Sequence, residues 1–216
     1  MRRLLSWMTV FTLGLSAAAA QAPLKSGPQT GAVLPSAFDA FIINGKVAEG
    51  RQHCLVCQNA LNPTVLIFTR EPATNTDKPL TELLTGLDKM MAKHEKLALG
   101  GVAIFLSPDA RSSATEAAPV TDTDKLLEEA TKRRELIARL KTRAEPLKNV
   151  VIGTHPLAGP KDYHISPDAE VTVLFYAKIK VVANWAFATE KLTDNDVNAI
   201  LKKVDDTLTQ GGSKKK

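Results

Sequence analysis

Three short runs, each continuously apolar and rich in β-branched residues, constrain this 216-residue chain most: TVLIFT from Thr64 to Thr69, GVAIFL from Gly101 to Leu106 and NVVIGT from Asn149 to Thr154. A strand with one wet face alternates apolar and polar residues. A run without alternation needs cover on both faces, as strands in a parallel sheet have. Helical patterns separate the runs. Leu80, Leu83, Leu84, Leu87 and Met91 recur at helix spacing, with Asp77 as the expected N-cap and Pro79 in the first turn. A longer helix is expected from about Asp124 to Ala144, with Leu126, Leu127, Ala130, Ile137 and Leu140 as its apolar face. Strand, helix, strand, helix, strand predicts right-handed crossovers and a parallel sheet covered on both sides.

The last third of the chain is patterned differently. VTVLFY (Val171 to Tyr176) and IKVVANWAF (Ile179 to Phe187) are separated only by Ala177 and Lys178, which predicts a tight antiparallel hairpin. A final helix follows. Thr193 and Asp196 form a capping box, Leu192 and Val197 occupy staple positions, and Val197, Ile200, Leu201, Val204 and Leu208 make the buried stripe. The expected fold class is α/β: a three-layer α/β/α sandwich around a mixed sheet with parallel core strands and a C-terminal antiparallel hairpin plus helix.

The ends of the chain read as accessory segments. Arg2 and Arg3, an apolar stretch from Leu4 to Leu15 and the small residues Ala17 to Ala22 form the three-part pattern of a signal peptide, expected over residues 1–22. The protein is therefore expected to be exported, periplasmic or secreted. No later segment has the roughly 20 uninterrupted apolar residues of a membrane span. Residues 23–37, rich in Pro, Gly, Ser and Gln, are expected to be a flexible leader, residues 38–209 the folded domain, and residues 210–216 a basic disordered tail. The formal net charge of +5 is accounted for by Arg2, Arg3 and Lys214 to Lys216. The neutral body that remains has no basic stripe, so no nucleic-acid partner is expected.

A β-α-β-α-β core closed by a hairpin and helix resembles the thioredoxin-like superfamily, in the variant that includes peroxiredoxins and periplasmic thiol-disulfide proteins. FDAFIING from Phe38 to Gly45, followed by Lys46, matches the opening strand and turn, and VTVLFYAKIKVVANW from Val171 to Trp185 matches the paired strands. The resemblance implies a nucleophilic Cys just after the first core strand, at a helix start, and a cis-proline before the penultimate strand. Here Arg70 to Asn75 holds no Cys, and Val171 stands in the proline position.

The two cysteines lie ahead of that strand, in His53-Cys54-Leu55-Val56-Cys57-Gln58. Gln58 to Asn62 is too short a span before Pro63 for a stable helix to be expected at the pair. A parallel strand starts opposite its C-terminal end, so the pair is expected away from the usual active pole unless the preceding segment folds back. Three readings remain open. The first is thiol-disulfide exchange with protein thiols or disulfides: Cys54 attacks, Cys57 resolves, and His53 and Arg51 lower the thiol pKa. The second is a non-catalytic binding or structural module in which a structural disulfide pins the loop; so small a ring contributes about 2 kcal/mol in the loop-closure model. The third is a soft-metal site of His53, Cys54 and Cys57 completed by His155 or His164. Haem attachment is disfavoured because Gln58 stands where Cys-x-x-Cys-His requires His. No cofactor and no metal is expected.

Overall fold

The computed structural model describes residues 24–72, 74–110 and 122–213. The expected signal peptide, the middle of the connection after Ser107 and the terminal lysines lie outside the described residues.

Each apolar run is a strand. β3 spans Thr64–Arg70, β4 Gly100–Ser107 and β5 Val151–Pro156. They pair in parallel in the order β5-β4-β3, with Ile67 opposite Ala103 and Ala103 opposite Ile152. β6 (Val171–Ala177) and β7 (Lys180–Phe187) form the hairpin, and β6 pairs antiparallel with β3. At the opposite edge β1 (Ala40–Ile42) pairs antiparallel with β5, and the two-residue β2 (Gln52–His53) pairs antiparallel with β1. The described sheet has seven strands in the order β2-β1-β5-β4-β3-β6-β7.

β5 starts two residues later than its apolar run because side chains hold its entry. The Asp88 carboxylate accepts from the backbone N–H of Lys148, Asn149 and Val150, while Asn44 donates to the Val150 carbonyl and accepts from Ile152 N–H. Those backbone groups are thereby satisfied without a strand partner.

The layers on the two faces are unequal. β3, β4 and β5 lie side by side, so both crossovers step the same way, and right-handed connections then put both helices on one face. Helix α2 (Thr74–Lys93), α3 (Thr123–Ala144) and α4 (Asp194–Ser213) all pack there, through Leu80, Leu84, Leu136, Leu140, Ile200 and Val204 against Ile67, Ala103, Ile152 and Val173. The other face carries a second core: Leu66, Phe68, Ile104, Leu174 and Tyr176 beneath Leu34, Ala48, Leu55, Val56, Tyr163 and Ile165. Its cover is a short helix, α1 (Leu55–Asn59), a 3-10 turn at Lys161–Tyr163 and irregular chain.

Three expectations change. α2 starts at Thr74, so Pro79 lies inside the helix and Asp77 pairs with Arg143 instead of capping. In α3 only Leu136, Leu140 and Ala144 are buried, while Leu126 and Leu127 are exposed. This 22-residue helix is longer than the six- and eight-residue strands β5 and β4 that it connects. The stretch expected to be a flexible leader is packed from residue 24 onward. Gly31 N–H and Leu34 N–H donate to Val181 and Ile179, and Val181 N–H donates to Ala32, which covers part of the open edge of β7. The buried Ser26 hydroxyl bonds Thr172 and accepts from Ser166 N–H. The last helix follows its sequence signals closely: Thr193 and Asp196 exchange their capping-box hydrogen bonds, and Leu192 and Val197 are buried.

Candidate functional site

The chain approaches its cysteines by folding back. β1 runs antiparallel to β5 with Phe41 opposite Thr154, and β2 returns beside it with His53 opposite Ala40. β2 therefore ends one step beyond Thr154, at the edge of the sheet near the end where the parallel strands terminate. Cys54 follows directly, and α1 then crosses the second face toward the strand starts. There Asn59 lies so close to Gly100 that a Cβ on Gly100 would collide with it.

Contrary to the length argument, a helix does begin at the pair. Cys54 is its N-cap, with φ −87° and ψ 95°, and its Sγ accepts the Cys57 N–H at 3.1 Å. Cys54 and Cys57 are joined in a disulfide. A helix of five residues is not stable alone. This one is held by the covalent ring, by that cap, and by Leu55 and Val56, which are buried in the second core. Outside, His53 Nε2 is 2.9 Å from Gln58 Oε1 and braces the helix start, and Ala60 at φ 46° ends it. Cys57 is exposed, whereas Cys54 is half-buried against the second core.

The start of α2, where the family resemblance places a nucleophile, is built as a joint. Glu170, the residue before β6, is buried, and its Oε2 accepts from the Thr76 hydroxyl at 2.7 Å and the Glu190 N–H at 2.9 Å. Its backbone continues the tie, since Arg70 N–H donates to its carbonyl and its own N–H donates to Phe187. The Arg70 side chain donates to the Ser166 carbonyl, and burial lowers its pKa against the opposing pull of Asp168. Arg139 pairs with Glu71, and Arg143 lies over the Phe105 ring. Among the described residues no peptide bond is cis. Glu170 thus ties this helix start to β6, and no cysteine lies between Arg70 and Thr76.

The histidines considered as metal ligands are dispersed. His155 stacks its ring edgewise on Phe38 at a cavity of about 360 Å³, and His164 is exposed in a left-handed conformation. Among the described residues no group of three or more His, Cys, Asp or Glu is placed to hold a metal ion. No helix among them is long and apolar enough to cross a membrane.

Of two buried tyrosines, Tyr176 lies in the apolar run of β6 and was expected to pack in the core, whereas Tyr163, in the polar connection before it, was not signalled. Tyr163 and Tyr176 share the second core with Leu55 and Val56 and are fully buried, and burial pushes both phenols above their ordinary pKa. The Tyr163 hydroxyl has no hydrogen-bond partner among the described residues. Glu170 had one available signal, a charged residue abutting an apolar strand directly before Val171, which stands where the resemblance calls for proline.

No family model and no curated protein matches the chain. Among solved structures, "a putative protein disulfide isomerase from Bacteroides thetaiotaomicron" superposes at TM-score 0.51 and 14% identity, over 88% of this chain and 98% of that one. A secreted thiol-disulfide isomerase from Corynebacterium glutamicum is similar at TM-score 0.49 and 13% identity, over 79% and 84% of the two chains. The first of these likenesses establishes the fold, which is thioredoxin-like.

Proposed function

We propose that this protein is exported and exchanges disulfides with the cysteines of other proteins through Cys54 and Cys57, with His53 beside them. The observation that carries the reading is the setting of the ring. It closes over two intervening residues, one of its cysteines is on the surface, and a backbone N–H is already aimed at the sulfur of the other. Small, accessible disulfides of this type are reduced and re-formed readily, and a directed N–H stabilises a thiolate when the bond opens. A helix this short adds little macrodipole, so the stabilisation is assigned to that single N–H. His53, adjacent to Cys54 and braced by Gln58, is positioned to take the proton of an incoming thiol.

Export is supported by Arg2, Arg3, the apolar stretch from Leu4 and the small residues up to Ala22, and by a disulfide that suits an oxidising compartment.

A second reading, a non-catalytic thioredoxin-fold module with a structural disulfide, is favoured by one observation: the helix start that the fold's enzymes use is closed here by Glu170. Turnover of glutathione against a disulfide-bonded protein substrate such as insulin separates the two. The exchange reading expects measurable catalysis that falls at least a hundredfold in Cys54→Ser/Cys57→Ser. It also expects a decrease on the order of tenfold to a hundredfold at neutral pH in His53→Ala. Equal rates for the wild-type and double-serine proteins would leave only the structural module.

A further inference from the structure

We infer that the partner becomes covalently attached to Cys57 and that Cys54 is the sulfur that resolves the attachment, the reverse of the order that chain position suggests. The inference rests on the exchange reading. Two independent features select the same atom. The first is access: a thiolate must approach the attacked sulfur from outside, along the S–S axis. Cys57 is exposed, while Cys54 is half-buried against the second core alongside Leu55 and Val56.

The second is the leaving group. When an S–S bond is attacked, the departing sulfur carries the electron pair away, and the sulfur better stabilised as a thiolate departs faster. Cys54 Sγ accepts the Cys57 N–H at 3.1 Å, and among the described residues no donor is directed at Cys57 Sγ. Attack at Cys57 therefore releases a sulfur whose hydrogen bond is already in place. Attack at Cys54 would have to reach a half-buried residue and expel a sulfur toward which no donor among the described residues is directed.

A partner thiol loses its proton, and its thiolate attacks Cys57 Sγ. The Cys54–Cys57 bond breaks, and its electron pair goes to Cys54 Sγ. The partner is then held through a mixed disulfide to Cys57. A second partner thiolate attacks the partner's first sulfur, forms the partner disulfide and releases Cys57 as a thiolate, which takes up a proton. The partner dithiol is oxidised by two electrons, and the protein disulfide is reduced. In reverse, the Cys54 thiolate attacks Cys57 Sγ of the mixed disulfide and expels the partner.

The test uses the full chain and glutathione. The oxidised wild-type protein is mixed with reduced glutathione, quenched with acid and alkylated, and the glutathione is located by fragment mass spectrometry. The expected result is an adduct on Cys57 at least tenfold more abundant than on Cys54. The Cys54→Ser variant, charged with oxidised glutathione, should then keep its Cys57 adduct, whereas the wild-type protein closes its own disulfide and expels it. An adduct mainly on Cys54, or shared equally, overturns the assignment while leaving exchange intact. Failure to form an adduct at either cysteine, with no reduction of the internal bond, overturns the exchange reading and this inference with it.

Discussion

The starts of α1 and α2 are anchored in opposite ways. Each presents backbone N–H groups that lack partners within the helix. At α2, twenty residues long, the fold positions a buried carboxylate, Glu170, bound by the Thr76 hydroxyl and Glu190 N–H. At α1, five residues long, the N-cap is a sulfur, and the helix depends on the disulfide and on two buried side chains. The start of the long helix is a joint between the first core strand, β6 and the chain leading to α4. The short helix contributes little structure and carries both cysteines, at an edge where Cys57 meets solvent.

The contrast is broken most forcefully at α2. Glu170→Ala strands the Thr76 hydroxyl and the Glu190 N–H, and should lower unfolding stability by about 2–4 kcal/mol in urea titrations. Glutathione exchange should be unchanged in the folded protein; a parallel loss of exchange would join the two helix starts into one functional unit.

Beneath α1 the expected effect is smaller and of the opposite sign. Tyr163→Phe removes a buried hydroxyl without a partner and should stabilise the protein by about 1 kcal/mol, read by the same titration. Burial raises the Tyr163 and Tyr176 phenols in the folded state, so their contribution is intact below the ordinary tyrosine pKa of about 10 and is lost as pH rises above it. Stability measured between neutral and strongly alkaline pH should therefore fall, less steeply in Tyr163→Phe.

A comparable change applies at the β6–β7 turn. Lys178 and Ile179 both have positive φ, 52° and 55°, the pattern of a turn that favours Asn-Gly. Replacing the pair with Asn-Gly should add about 1 kcal/mol and leave exchange untouched.

The smallest effect belongs to the surface pairing of α2 with α4. Lys93, and secondarily His94, hold the Asp205 carboxyl below its usual pKa. That contribution is present above the ordinary carboxylate value of about 4 and is lost as pH falls through the lowered one. Asp205→Asn should cost about 0.5 kcal/mol at neutral pH, since the carboxylate is partly exposed, and nothing at the acid end.

The legible parts of the fold were those whose information is local. Unalternating apolar runs marked β3, β4 and β5, and the Thr193–Asp196 box marked the start of α4, because each is encoded within a few residues. What escaped depends on distant partners. α1 failed a length argument because its stability comes from a covalent ring and from burial of Leu55 and Val56 under chain more than a hundred residues away. The leader has no apolar period, yet β7 needed an edge partner and backbone hydrogen bonds supplied it. Leu126 and Leu127 match a helical stripe, but whether a stripe meets the sheet depends on where the strands end. At the candidate site, Cys54, Cys57 and His53 were legible as a cluster. Their pole followed from the β1–β2 return, and their relative exposure from the docking of α1; neither is written in the spacing.

The most direct test of the account is the reduction potential of the Cys54–Cys57 bond, measured in glutathione redox buffers. Reversible exchange predicts a value in the range of known disulfide carriers, about −270 to −120 mV. A value below about −300 mV would make the bond inert to the glutathione pool and contradict the assignment of chemistry to α1.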